Sequence, residues 1–247
     1  MIVKAIKTAK VAAGNSIFKV LDQYLPRVSE GTIIAVASKV IALSENRVIK
    51  ANYNQKTKLI AQEAEKVIFD DNPQSKSPAF RLTLKNHRLL PNAGIDSSNS
   101  KKGHFILLPT DPQNSAVNLW LYLKKKHNLK KLGVIITDSN LTPMRVGVIG
   151  VALGWAGFKP VYSYVGKKDL FSRKLKVSRI NLLDNLASAA ILVMGEGSEQ
   201  TPLAVVTDLP KTITFITAKP GLKDLKSTQI SAAEDIFNCY DHLKTSI

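Results

Sequence analysis

The sequence predicts a mixed α/β protein. Apolar runs of strand length recur along the 247 residues, segments of helical spacing lie between them, and no regular succession of βαβ units is present. In chain order, Ser16–Tyr24 is a predicted helix, because Ile17, Val20, Leu21 and Tyr24 share one face. Thr32–Ala37 is a continuous apolar run of strand length. Thr57–Ile68 puts Ile60, Ala64, Val67 and Ile68 on one helical face, and the polar, proline-rich Asp71–Pro78 is a loop. Ser97–Gly103 is a second polar loop, and Phe105–Leu108 a short strand. Ala116–Leu129 is an amphipathic helix whose basic end suits the negative pole of its dipole. Val134–Thr137 is a strand. Gly147, Gly150, Gly154 and Gly157 punctuate Val146–Phe158, which fits either a closely packed helix face or a bent strand. Asn181–Ala190 is a predicted helix, then Ile191–Met194, Leu203–Val206 and Ile213–Thr217 are predicted strands, and Ser231–Leu243 a final helix.

Composition bounds the function. Hydrophobic residues make up 45% and aromatics only 6%, so a core of Ile, Val, Leu and Ala is expected, and the 247 residues make one large domain or two small ones. Cys239 is the single cysteine, which excludes an intrachain disulfide and points to a reducing, cytoplasmic setting. Lys4, Lys7 and Lys10 interrupt any apolar leader, and Val146–Phe158, the longest charge-free apolar run, is short of the about 20 residues a membrane helix needs. Thirty-five basic against 19 acidic residues give a net charge of +16. That favours an anionic ligand. The densest cluster, Lys124–His127 with Lys130 and Lys131, lacks interleaved aromatics, and no helix-turn-helix, zinc-finger or RNP pattern is present, so nucleic acid is the weaker reading.

Three short units carry the chemistry. Asn92–Asn99 is a glycine turn with Asp96 flanked by Ser97, Ser98 and Asn99. Thr137–Ser139 repeats that chemistry around Asp138, and Met194–Glu199 carries Glu196 between two glycines, followed by Ser198 and Glu199. Each follows an apolar run. Acids placed this way in an acid-poor chain suggest divalent metal holding a polyphosphate. No P-loop, dinucleotide fingerprint or nucleophile elbow occurs, the four histidines are not spaced as a zinc pair, and a metal would find oxygen ligands, which favours Mg or Mn.

These units resemble the F420-0:γ-glutamyl ligase family from about residue 8 to about 210. Gly94-Ile95-Asp96 with Ser98-Asn99 resembles its G-I-D-x-S-N signature. Thr137-Asp138-Ser139 with Pro143, Arg145 and Gly147 resembles its T-D-[ST] segment and following R-x-G. Val151–Gly157 resembles V-A-I-G-x-A-G; Asp169, Leu175 and Asp184–Ala190 resemble the next segments, with Ser172 in place of a glycine; Val193–Glu196 resembles its V-M-G-x turn. The resemblance implies an α/β fold with a larger and a smaller region, an intertwined homodimer, and an enzyme that uses GTP and two divalent cations, Mn or Mg, to join L-glutamate to a carboxylate through an acyl phosphate. A monovalent cation is a further ligand to expect. By position, Asp96, Asp138, Ser139 and Glu196 correspond to metal ligands, with Asp96, Asp138 and Arg145 at the chemistry. Thr8, Ala9, Lys10, Val11, Ser38, Lys39, Asn99 and the run Met194, Gly195, Glu196, Gly197, Ser198, Glu199, Gln200, Thr201 correspond to nucleotide-binding positions. Each also has a plainer reading: Asp96 as a turn residue, Asp138 as a helix cap, Glu196 as a solvated acid, Lys39 as a surface lysine and Arg145 as half of an ion pair.

Two departures bear on the acceptor. Leu43–Asn46 stands where F420 members carry a lysine followed by E-G, and Leu141–Arg145 stands for G-R-P-W-R; each removes a basic residue. Glu196–Pro202 is closer to the branch associated with folate metabolism, whose acceptor would be a folate glutamate tail. These residues favour that branch. The resemblance implies a single domain over 1–247, without the FMN-binding C-terminal extension of some members. The competing readings are a nucleotide-binding protein of the same fold without catalysis and a basic nucleic-acid-associated protein.

Overall fold

The computed structural model describes residues 1–69 and 80–237. The chain forms β1 (Ile2–Ile6), α1 (Ile17–Tyr24), β2 (Thr32–Ala37), α2 (Ser38–Ser44), β3 (Val48–Lys50), α3 (Tyr53–Glu63) and β4 (Lys66–Phe69). There follow β5 (Leu82–Lys85), β6 (Arg88–Pro91), a 3-10 turn at Asn92–Gly94, β7 (His104–Ile106), α4 (Pro112–His127), β8 (Leu132–Leu141) and β9 (Val148–Ala156). Last come β10 (Val161–Ser163), β11 (Arg179–Asn181), α5 (Leu182–Met194), β12 (Leu203–Thr207), α6 (Leu222–Lys226) and a 3-10 turn at Ala232–Glu234.

A five-stranded sheet in the order β1-β12-β2-β8-β9 is the spine. Only β2 and β8 run parallel, in a register that sets Ala37 beside Thr137. Helices cover both faces, which is why β2 reads as an unbroken apolar run rather than an alternating one. Ile34, Val36, Val134 and Ile136 pack with Leu119, Trp120 and Leu123 of α4 and Leu21 of α1. Ile33 and Ile135 pack on the other face with Leu183, Leu186 and Ala187 of α5, while Ala35 and Ala204 meet Ala190 and Met194.

Val146–Phe158 takes the bent-strand alternative. Ile136 pairs with Gly154 and Thr137 with Ala152, so Leu153 is the extra residue of a bulge placed directly before Asp138. The bulge resets the alternation: Ala152 and Trp155 join the α5 face, Leu153 and Ala156 the α4 face. Both helices press on this strand's backbone. A Cβ on Gly150 would lie 2.4 Å from the Ala187 carbonyl of α5, and one on Gly154 2.3 Å from the Pro112 carbonyl of α4.

Several boundaries differ from the sequence reading. Ile191–Met194 is the last turn of α5, not a strand, because the Asn181 side chain accepts from Asp184 N and starts a helix that buries Leu186, Ala187, Ala190 and Met194 at helical spacing. Ile213–Thr217 is not a strand; only Phe215 bridges, to Phe158. The Thr57–Ile68 helix starts earlier, at an Asn52–Gln55 capping box, and stops at Glu63, since Lys66–Phe69 pairs with β5. Asp138 lies inside β8, so it is neither a turn residue nor a helix cap. Asp71–Pro78 lies outside the described residues, as do residues 238–243 of the expected Ser231–Leu243 helix; its described part, 231–237, holds only the 3-10 turn at Ala232–Glu234 rather than a helix. Among the described residues no helix is long and apolar enough to cross a membrane.

A smaller unit sits beside the main sheet: the β4-β5-β6 sheet, the β3-β7 pair and α3. Leu59, Ile60, Ala93, Ile95 and Leu107 are its core. Its turn at Asn92-Ala93-Gly94 is left-handed at three successive residues, φ 55°, 53° and 74°. An alanine in that region is strained by about 1–3 kcal/mol, so neighbours must enforce it. They do: Ala93 N donates to Thr83 Oγ1 at 2.8 Å, Thr83 Oγ1 donates to Leu90 O at 2.6 Å, and Asn92 Oδ1 accepts from Arg81 N at 3.0 Å. Thr83, Asn92 and Ala93 are all buried.

Candidate functional site

One cavity of about 420 Å³ opens beyond the carboxyl ends of the parallel pair β2 and β8, where crevices of α/β sheets ordinarily lie. Thr8–Val11 line it from the exit of β1, Ser38 and Lys39 from the start of α2, and Asp138 and Ser139 from β8. Asp96 and Asn99 line it from the smaller unit, and Met194–Thr201 from the segment between α5 and β12. Every sequence-nominated residue is thus gathered here except Arg145, which is exposed in the turn between β8 and β9 and does not line the cavity.

The β2–β8 register brings Ser38 to Asp138, and Ser38 Oγ donates to Asp138 Oδ1 at 2.9 Å. Burial pushes the Asp138 carboxyl up to about 6, against hydrogen bonds from Ser38 and the Ser139 backbone and the Lys39 charge; the Asp96 charge adds to the rise. Asp96 is held differently. Its backbone exchanges both hydrogen bonds with Ile106 of β7, at 3.0 and 2.8 Å. Its Oδ1 accepts from Ser98 N at 2.7 Å; its Oδ2 accepts from Ser98 Oγ and from Lys39 Nζ, each at 2.5 Å. Burial raises this carboxyl, but Lys39 and Ser98 outweigh it and the net shift is downward. The Asp96 charge thus acts on Asp138 in the same direction as burial, and a cation beside Asp138 would oppose both.

The third wall is a backbone loop. Asn99 Nδ2 donates to Gly197 O at 2.9 Å, joining the Asp96 turn to the loop across the cavity. Glu199 folds back to accept from Gly197 N at 2.8 Å, and Thr201 Oγ1 donates to Met194 O. Thr8 N donates to Gln200 O at 2.8 Å, and Ala37 N to Pro202 O at 2.9 Å. Glu196 is exposed at the rim.

The donor set is all oxygen: two carboxylates, Ser139 and, at the rim, Glu196. Among the described residues no three His, Cys, Asp or Glu side chains converge as a ready-made cluster. Hydroxyls, carbonyls and oxygens of a bound anion would complete any coordination shell, as they do for Mg and Mn beside phosphates. Lys39 Nζ already rests on Asp96 Oδ2, Ser98 Oγ at 2.7 Å and Ser98 O at 3.3 Å, so oxygens here do converge on a cation. The residues therefore fit a hard divalent ion.

Sequence reasoning gave no role to Ser98, although it stands inside the G-I-D-x-S-N stretch, nor to Lys56. Lys56 of α3 is half-buried; burial lowers its pKa and the Asp96 charge opposes that. Nothing in an ordinary helical segment announces it. A second cavity of about 390 Å³ lies between the β5–β6 hairpin, the start of α4 and α6, and holds none of the nominated residues.

A family model described as F420-0:Gamma-glutamyl ligase matches residues 5–208. The chain is 34% identical to the coenzyme F420:L-glutamate ligase of Archaeoglobus fulgidus over 200 residues, 74% of this chain and 78% of the relative. It is 32% identical to that of Methanopyrus kandleri over 218 residues, 81% and 83% of the two chains, and 34% identical to that of Methanococcus maripaludis over 199 residues, 76% and 79%. The chain belongs to the F420-0:gamma-glutamyl ligase family and is a ligase of the gamma-glutamyl type.

Proposed function

We propose that the protein joins L-glutamate by an amide bond to the carboxylate of a coenzyme F420-type acceptor, using GTP and divalent cations. The observation that carries this reading is the single cleft in which Asp96, Asp138, Ser38, Lys39 and the Met194–Thr201 loop meet. The acceptor carboxylate attacks the γ-phosphorus and GDP leaves, giving an acyl phosphate. The glutamate amine then attacks the acyl carbon, phosphate leaves, and the amine proton passes to solvent or a nearby base. Bound Mg or Mn would neutralise charge developing on the phosphoryl oxygens.

The chain's own residues supply the rest. Asp96 and Asp138 would hold the cations, with Ser139 and Glu196 completing the ligand set. Backbone groups of Thr8–Val11 and Met194–Thr201 cradle the nucleotide, Asn99 ties that loop to the Asp96 turn, and Lys39 and Ser38 face the phosphates. Arg145 does not line the cleft within one chain, and in this reading it serves the site from the other protomer of a homodimer. The exposed Leu141, Met144, Val146, Val148 and Ile149 around it support that arrangement.

The names of the curated relatives favour the F420-type acceptor; Glu196–Pro202 favours the folate tail as a second reading. Phosphate release from GTP with Mn or Mg and L-glutamate, run in parallel with F420-0 and with tetrahydrofolate monoglutamate, tests both. Release that needs glutamate and one acceptor establishes the ligation and selects that acceptor. GTP binding without release for either would sink the reading in favour of a nucleotide-binding protein.

A further inference from the structure

A carboxylate offers about four lone-pair sites to donors or cations. Asp96 has three of them taken. Ser98 N occupies one on Oδ1, while Ser98 Oγ and Lys39 Nζ occupy both on Oδ2. Only one site, on Oδ1, is open. Asp138 has one donor from a side chain, Ser38 Oγ on Oδ1, and no ammonium bonded to it. A first cation can therefore take Asp138, whose other oxygen bears no side-chain donor, without disturbing Lys39. A second cation cannot reach Oδ2 while the ammonium is there.

Lys39 is also the group best placed to leave. Its side chain is 27% exposed, it lines the cavity, and its other two contacts, both to Ser98, are ordinary hydrogen bonds at 2.7 and 3.3 Å. A triphosphate entering the cleft presents a denser negative charge than one carboxylate. A compact ammonium on a flexible stem moves to it readily.

We propose that Lys39 is a resident counter-cation that blocks the second divalent site and gives it up when the nucleotide arrives, so that the second metal binds only together with the phosphates. This rests on the metal-dependent reading above and adds an order of loading to it. Lys39 acts here as a positioning residue: it couples metal stoichiometry to nucleotide occupancy and keeps a fully loaded metal pair from assembling without a phosphate to act on.

The test is Mn titration of the full chain, without nucleotide, followed by the electron paramagnetic resonance signal of free Mn. Wild type is expected to bind one Mn. Lys39→Met is expected to bind two, and Lys39→Arg, which keeps the charge, one. GTP affinity at saturating Mg should fall about tenfold or more in Lys39→Met, the scale of a hydrogen bond to a charged group. Thermal unfolding of each variant checks that the fold is intact. Two Mn bound by wild type, or one by Lys39→Met, would overturn the Lys39 inference and leave the metal-dependent reading standing. No Mn bound by either protein would overturn the Lys39 inference, and the metal-dependent reading falls with it only if Mn also fails to bind when GTP is present.

Discussion

Asp96 and Asp138 face the same cavity from opposite kinds of structure. Asp138 sits on a central strand whose bulge, register and packing fix it, and burial without an ammonium of its own drives its pKa up to about 6. Asp96 sits beyond a left-handed turn in the smaller unit, and Lys39 and Ser98 carry its pKa the other way. One acid is placed by the sheet and left electrostatically unsatisfied. The other is satisfied by neighbours, and its position depends on a strained turn held by Thr83. A site built this way has one rigid half and one half that depends on local support.

The largest effects should fall on catalysis. Asp138→Asn and Asp96→Asn are each expected to lower turnover by about 100-fold or more, the scale of losing one electrostatic stabiliser of a transition state. The double variant should lose little beyond either single one, since both serve one metal cluster. Additive losses in kcat would break the idea of a shared site. Stability should separate the two: Asp138→Asn removes a buried charge and should leave the urea midpoint unchanged or higher at neutral pH. Asp96→Asn leaves Lys39 unpaired on a partly exposed site and should cost up to about 1 kcal/mol.

Next comes the support of the Asp96 half. Thr83→Val leaves the buried Ala93 N–H without its acceptor and should destabilise by about 1–3 kcal/mol. Metal-dependent activity should fall along with it, and full retention of both would mean the turn holds itself. Ser38→Ala should weaken GTP binding about fivefold, the scale of one ordinary hydrogen bond, and leave the fold intact. Unchanged affinity would remove Ser38 from the nucleotide site.

The smallest effect is a pH dependence within the smaller unit. Glu63 accepts from Arg47 Nη2 at 2.8 Å and from Lys85 Nζ at 2.5 Å. Burial raises its carboxyl, but Lys85 and Arg47 more than offset that, so its pKa lies below the ordinary 4.5. A lowered carboxylate pKa stabilises the fold above 4.5, and that stabilisation is lost as pH falls through 4.5 and below. Glu63→Gln should flatten the stability profile in that acid window. A profile identical to wild type would show that the triad contributes nothing.

The helices and strands with strong local signals were legible: α1, β2, α4, β8 and β12 all lie where their apolar spacing puts them, within a few residues at their ends. Short apolar stretches were not. Ile191–Met194 and Lys66–Phe69 are both too short for spacing to tell helix from strand, and capping at Asn181 made one a helix end while pairing with β5 made the other a strand. Of the site, the acid-bearing units stood out because acids are scarce in this chain and these lie beside glycines or hydroxyls. Lys56 did not, because its closeness to Asp96 arises only from folding.

The sequence by itself determined the class of fold, the apolar spine and the three segments that carry the chemistry, since periodicity and residue type are local properties. Only the tertiary structure decided how those segments meet. The parallel β2–β8 register sets Ser38 on Asp138, the buried Thr83 hydroxyl enforces the turn before Asp96, and Lys39 reaches across to hold it. Each of these joins residues far apart in the chain, or burial that no local pattern encodes. The opposite pKa shifts of two chemically identical side chains follow from that placement alone.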